Sequence, residues 1–163
     1  MTAFRTTRRT APDDGGLSLA GAPRSVPVGV AWTAAVLFCI IAAFHAALVL
    51  GAPWGEYTQG GGTSGTLSAS GRIVAAVSCV LSIVMAGAIL SRVGRGPLGR
   101  RLPVRVTTVL AWFTMVYAGI AVVLNLITQS TAERALWAPV SILLLALVTF
   151  VMVRTHRKPG TDR

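Results

Sequence analysis

The chain has 163 residues, 53% of them hydrophobic and 12% charged, about half the charged fraction usual for a soluble domain. A formal charge of +10 would suit nucleic-acid binding in a soluble protein, but here nearly all basic residues lie between or beyond long apolar runs. That pattern sets nucleic acid aside and makes the lipid bilayer the first partner. Arginine in place of lysine, with abundant Ala, Gly and Val, indicates a GC-rich bacterial source and hence a bacterial plasma membrane.

Residues 1–27 combine Arg5, Arg8, Arg9 and Arg24 with Thr, Pro, Gly and the Asp13-Asp14 pair. This composition buries too little apolar surface to offset the entropy of ordering, so a disordered cytoplasmic tail is expected. The apolar run that follows exceeds the usual signal-peptide core of about 7 to 15 residues, and Pro53 stands where a small-residue cleavage site would be needed. The tail is expected to stay attached.

Residues 28–50 carry no formal charge and, at about 1.5 Å per residue, reach roughly 34 Å, enough to cross a hydrocarbon core of about 30 Å. Trp32 and Trp54 bracket this first span as interfacial anchors, and Gly51-Ala52-Pro53 stops it. The Gly- and Ser-rich segment after Glu56, with Gly60-Gly61-Gly62 at its middle, reads as a flexible loop. No Gly-Lys-Ser/Thr follows, so it is not a phosphate-binding loop.

A second span is expected over 73–90, capped by Ser70, with Arg72 snorkelling to the headgroups. The third covers 104–127 with Pro103 at its start. Ala111, Thr114, Ala118, Ala121 and Asn125 recur there at spacings of three and four, a small and weakly polar face suited to helix contact. Ser130-Thr131-Ala132-Glu133 fits a capping box, in which Glu133 reaches back to the Ser130 amide, ahead of a fourth span at 136–153. Trp137 stands at the interface, and Pro139 is placed to bend that helix without breaking it. Residues 154–163 form a second basic tail.

Of the Lys and Arg residues, four lie in the first tail, five between Arg92 and Arg105 and four after Val153, against only Arg72 and Arg134 elsewhere. Thirteen against two places both termini in the cytoplasm. The fold expected is all-α: a polytopic membrane protein whose four transmembrane helices pack as a bundle.

Few residues can carry chemistry. His45 is the one ionisable group well inside a span, and Asn125 lies at a comparable depth, so the two could hydrogen-bond where those helices pack. The structural reading is a neutral histidine satisfied by Asn125, a hydroxyl or a backbone carbonyl, and the sharper one a ligand or proton site. Trp54, Glu56, Tyr57, Glu133, Arg134 and Trp137 gather at the outer surface, where they could line a shallow site. No catalytic residue, metal site or cofactor is assigned. The only histidines, His45 and His156, fall on opposite sides, Cys39 and Cys79 form no CxxC, and no G-x-S-x-G occurs. No Asp or Glu lies within the four spans as drawn, which counts against proton-coupled export.

The Gly51-Ala52-Pro53-Trp54-Gly55 motif, with Asn125, Ser130, Glu133-Arg134, Trp137 and Pro139 around the second outer loop, resembles small four-span membrane proteins common in actinobacteria. The resemblance covers about residues 32–153 and implies the four-helix membrane fold without any activity. The sequence therefore favours a non-enzymatic accessory or interaction protein, its partner another membrane protein or a second copy. The alternative is an oligomeric small-solute carrier or binding protein with a polar site near His45. A closed bundle would support the first, and a polar cavity reaching His45 the second.

Overall fold

The computed structural model describes residues 27–155. Residues 1–26, expected to be disordered, and residues 156–163 of the second basic tail, with His156, lie outside the described residues, whereas Arg154 and Thr155 belong to the last helix. Within them the chain is all-helical, and four helices are long and apolar enough to cross a membrane: α1 (Val28–Val49), α2 (Ala69–Arg92), α4 (Val104–Ile127) and α5 (Thr131–Thr155). A single helical turn, α3 (Leu98–Arg101), interrupts the arginine-rich connection and was not expected from the sequence. Leu98 on that turn packs against Gly87 of α2, where an added Cβ would stand 3.0 Å from the leucine.

The helix ends follow from local chemistry. Gly51, at φ +99°, closes α1: its amide donates to the Leu48 carbonyl and the next amide, of Ala52, to that of Ala47. These two bonds satisfy carbonyls that the helix leaves open, and the left-handed conformation they need is easy only for glycine. Pro53 then prevents continuation.

Two boundaries differ from expectation. Ser68, not Ser70, caps α2 by accepting from the Gly71 amide at 3.3 Å, so that helix starts at Ala69 rather than residue 73. In α5 the Ser130 hydroxyl accepts from the Glu133 amide at 3.1 Å, and helix begins at Thr131, five residues ahead of the apolar run. Caps made by polar side chains extend helices beyond the apolar residues that reveal them. Pro139 lies inside an unbroken α5.

In the bundle α1 and α4 each pack against both α2 and α5, and α2 touches α5 across the middle. α1 and α4 occupy opposite corners, with at most a marginal contact. At the end carrying α3, called here the arginine end, the interior is filled by Ala31, Ala34, Ala35, Met85, Ile89, Val148, Val151 and Met152. Arg92 braces that end. Its guanidinium donates to the Thr108 hydroxyl at 3.0 Å, the Thr155 hydroxyl at 3.3 Å and the Thr155 carbonyl at 3.1 Å, joining α2, α4 and α5. A cation on the last carbonyls of α5 also meets the negative end of its dipole.

Candidate functional site

The other end carries the connection over residues 50–68 and the short turn 128–130. Far from being a loose loop, the first connection folds into two 3-10 turns, Gly55–Tyr57 and Gln59–Gly61, and is bonded to α5 and α2. The Ser130 hydroxyl donates to the Glu56 carbonyl at 2.9 Å, and the Trp137 indole N–H donates to the Tyr57 carbonyl at 2.7 Å. Gln59 donates its amide to the Gly71 carbonyl at 2.9 Å. Gly61, at φ +70°, lies so close to Ser130 that a Cβ would collide with that side chain. Glycine at this position is required twice, by conformation and by space.

Glu133 is the centre of this clamp. Its Oε2 accepts from the Gly60 amide at 2.9 Å and from the Thr128 hydroxyl at 2.7 Å. Only half of the capping box is therefore present: Ser130 caps, but the carboxylate turns across to the first loop instead of back to the Ser130 amide. The physical reason is burial. Glu133 is only 8% exposed, and the Gly60 amide, in a left-handed stretch that leaves its N–H pointing out of the turn, offers the carboxylate a partner there. With α5 starting at Thr131, Glu133 falls in its first turn, ahead of the apolar span at 136–153.

Beneath the clamp, between α1 and α4, is a cavity of about 260 Å³. Its apolar wall includes Phe38, Ile41, Phe44, Leu124, Trp137 and Leu144. Polar groups reach it from every side: His45 from α1, Thr58 from the loop, Ser82 from α2, Tyr117 and Asn125 from α4, Glu133 and Ser141 from α5. The serines are satisfied within their own helices, Ser82 on the Ser78 carbonyl and Ser141 on that of Ala138. The Asn125 amide, the Tyr117 and Thr58 hydroxyls and Glu133 Oε1 have no hydrogen-bond partner among the described residues.

Of the partners expected for His45, the structure supplies a backbone carbonyl and not Asn125. His45 Nδ1 lies 2.9 Å from the Ile41 carbonyl of its own helix, while Asn125 faces the same cavity from α4, which does not pack on α1. A carbonyl can only accept, so Nδ1 carries a proton and Nε2 is left without a partner among the described residues.

Phe44 lines the loop end of the cavity. Its ring stacks on Trp54 at 5.8 Å and meets Trp137 edge-on at 4.8 Å and His45 at 5.6 Å. Such pairs contribute about 0.5 to 1.5 kcal/mol each beyond area burial.

Of the residues singled out from sequence, the cavity brings together His45, Asn125, Glu133 and Trp137, with Trp54 one ring removed. Glu56 and Arg134 are exposed and do not line it. The Glu56 carboxylate instead sits by the Tyr57 phenol, raising its pKa above the ordinary value through a hydrogen bond and its charge. Arg72 donates to the Leu67 carbonyl at 3.2 Å. Phe44, Thr58, Tyr117, Ser82 and Ser141 were not anticipated. Tyr117 alone had a legible signal, standing one turn from Ala121 and two from Asn125 on the small-residue side of α4.

No family model, curated protein or solved structure matches the chain.

Proposed function

We propose that this multi-pass membrane protein binds a small solute in the cavity between α1 and α4, without catalysing a reaction on it. The carrying observation is a partly open hollow of about 260 Å³ bordered by polar groups that find no partner among the described residues. Ligand sites are mainly apolar concavities with a few convergent polar groups, and this one lies just below the usual range of about 300 to 1,000 Å³. The polar groups without partners are accessible from the hollow, so their hydrogen-bonding capacity is open to a water or a solute. The accessory role favoured by the sequence assumed a closed bundle, and the hollow beside His45 supports the solute-binding alternative instead.

The same reading sets the protein in a bacterial plasma membrane with both termini cytoplasmic, so that the clamped end faces outward. Its support is the thirteen-to-two distribution of Lys and Arg. The solute would then reach the cavity from outside, past the Trp54 and Phe44 rings.

A thermal-shift screen of small solutes on the purified protein in detergent tests the proposal, with Ala121→Phe as the blocked control. At least one solute should raise the melting temperature of the native chain and leave the control unchanged. Equal shifts in both proteins, or no shift across charged and neutral solutes, would refute a site in this cavity.

A further inference from the structure

Resting on the solute-binding reading, we propose that the ligand is a small protonated amine: an organic ammonium that keeps its N–H donors and carries a short apolar body. The inventory of groups without partners points there. Glu133 Oε1 can only accept and His45 Nε2 is the acceptor nitrogen of the tautomer fixed by Ile41, while Asn125, Tyr117 and Thr58 can each accept as well as donate. No lysine or arginine lines the cavity, so nothing in its wall would pair an anion.

Charge gives the same answer independently. Glu133 is more than nine-tenths buried, and among the described residues it forms no ion pair. Its two donors, the Gly60 amide and the Thr128 hydroxyl, both fall on Oε2 and neither brings a positive charge. A buried carboxylate is costly unless paired and hydrogen-bonded, and a ligand ammonium on Oε1 would supply both. Beside it, the Phe44 and Trp137 rings, in edge contact at 4.8 Å, offer π-surface to a cation. The apolar body would lie deeper, against Phe38, Ile41 and Leu144, at the level of Tyr117 about two turns below Asn125. A quaternary ammonium would match the charge but leave the acceptors unfilled, so it should bind more weakly.

Equilibrium titration of the full chain with four related probes tests this, read by tryptophan emission because Trp137 forms part of the wall, with Ala121→Phe as the blank. The probes are 2-phenylethylammonium, its N,N,N-trimethyl derivative, 2-phenylethanol and phenylacetate. The primary ammonium should bind at least about tenfold more tightly than any other, the scale of a charge-assisted hydrogen bond of about 1.5 to 3 kcal/mol. Glu133→Gln retains an acceptor for Gly60 and Thr128, so it should fold, lose about tenfold or more in ammonium affinity and leave 2-phenylethanol unaffected. Tighter binding of the alcohol or the acid by the native chain would overturn the amine assignment while leaving a solute site standing. Undiminished ammonium binding by Glu133→Gln would do the same. If none of the four binds above the blank, the site itself fails and the inference with it.

Discussion

The two halves of the bundle are built from the same kind of helix but are filled differently. At the arginine end, small residues on α1 (Ala31, Ala34, Ala35) face long ones on α2 and α5 (Met85, Ile89, Val148, Met152), and the space closes. Toward the clamped end, small residues of α4 (Ala118, Ala121) face a gap, because α1 stands on the opposite corner and only rings and polar side chains reach across. In lipid, burial of apolar surface between helices adds little drive, so packing contacts and hydrogen bonds must hold the bundle. The packed half supplies contacts. The hollow half is held instead by the hydrogen-bonded clamp of Glu133, Ser130 and Trp137 on the first loop. One half therefore provides rigidity and the other provides space.

The comparison can be broken most forcefully in the packed half. Met85→Ala removes a fully buried side chain from a space with no slack and should cost about 2 to 5 kcal/mol in reversible unfolding from detergent. A loss below about 1 kcal/mol would mean that this half is not close-packed.

Gly61→Ala attacks the clamp. Left-handed strain of about 1 to 2 kcal/mol, with displacement of the Ser130 hydrogen bond worth about 1 kcal/mol, gives an expected loss of about 2 to 3 kcal/mol. The same change should open the 50–68 connection to protease. Unaltered stability and protease resistance would show that the loop is not seated on α5.

A matched pair sharpens the contrast at smaller scale. Ala34→Leu overfills the packed half and should cost about 1 to 3 kcal/mol, whereas Ala121→Leu enters the cavity and should cost under about 1 kcal/mol. Equal costs in a melting experiment would remove the distinction between the halves.

Much of the fold was legible in the sequence because a membrane helix announces itself by length and lack of charge. The runs at 28–50 and 104–127 match α1 and α4 to within one residue. Starts set by polar caps were less legible: among Ser68, Ser70 and nearby glycines, composition alone does not choose the cap. The clamp was hidden for another reason. Gly60 and Glu133 are 73 residues apart, and a local motif, the S-x-x-E box, offered Glu133 a complete structural role beside Ser130. Arg92 was read as one charge among five in a loop, yet its neighbours on α4 and α5 make it a brace. His45 and Asn125 were legible as polar groups at one depth. That they face a gap and not each other depends on which helices are neighbours, which no single helix's periodicity records.

The central claim, a hollow that solutes can enter at one end of an otherwise closed bundle, is tested most directly along a single face of α4. In a background with Cys39→Ala and Cys79→Ala, Ala121→Cys and Ala111→Cys place one thiol in the cavity wall and one in the packed core. Treated with a small, water-soluble cationic methanethiosulfonate, Ala121→Cys should be modified and Ala111→Cys should not. Equal protection of both thiols, or equal reaction of both, would contradict the account.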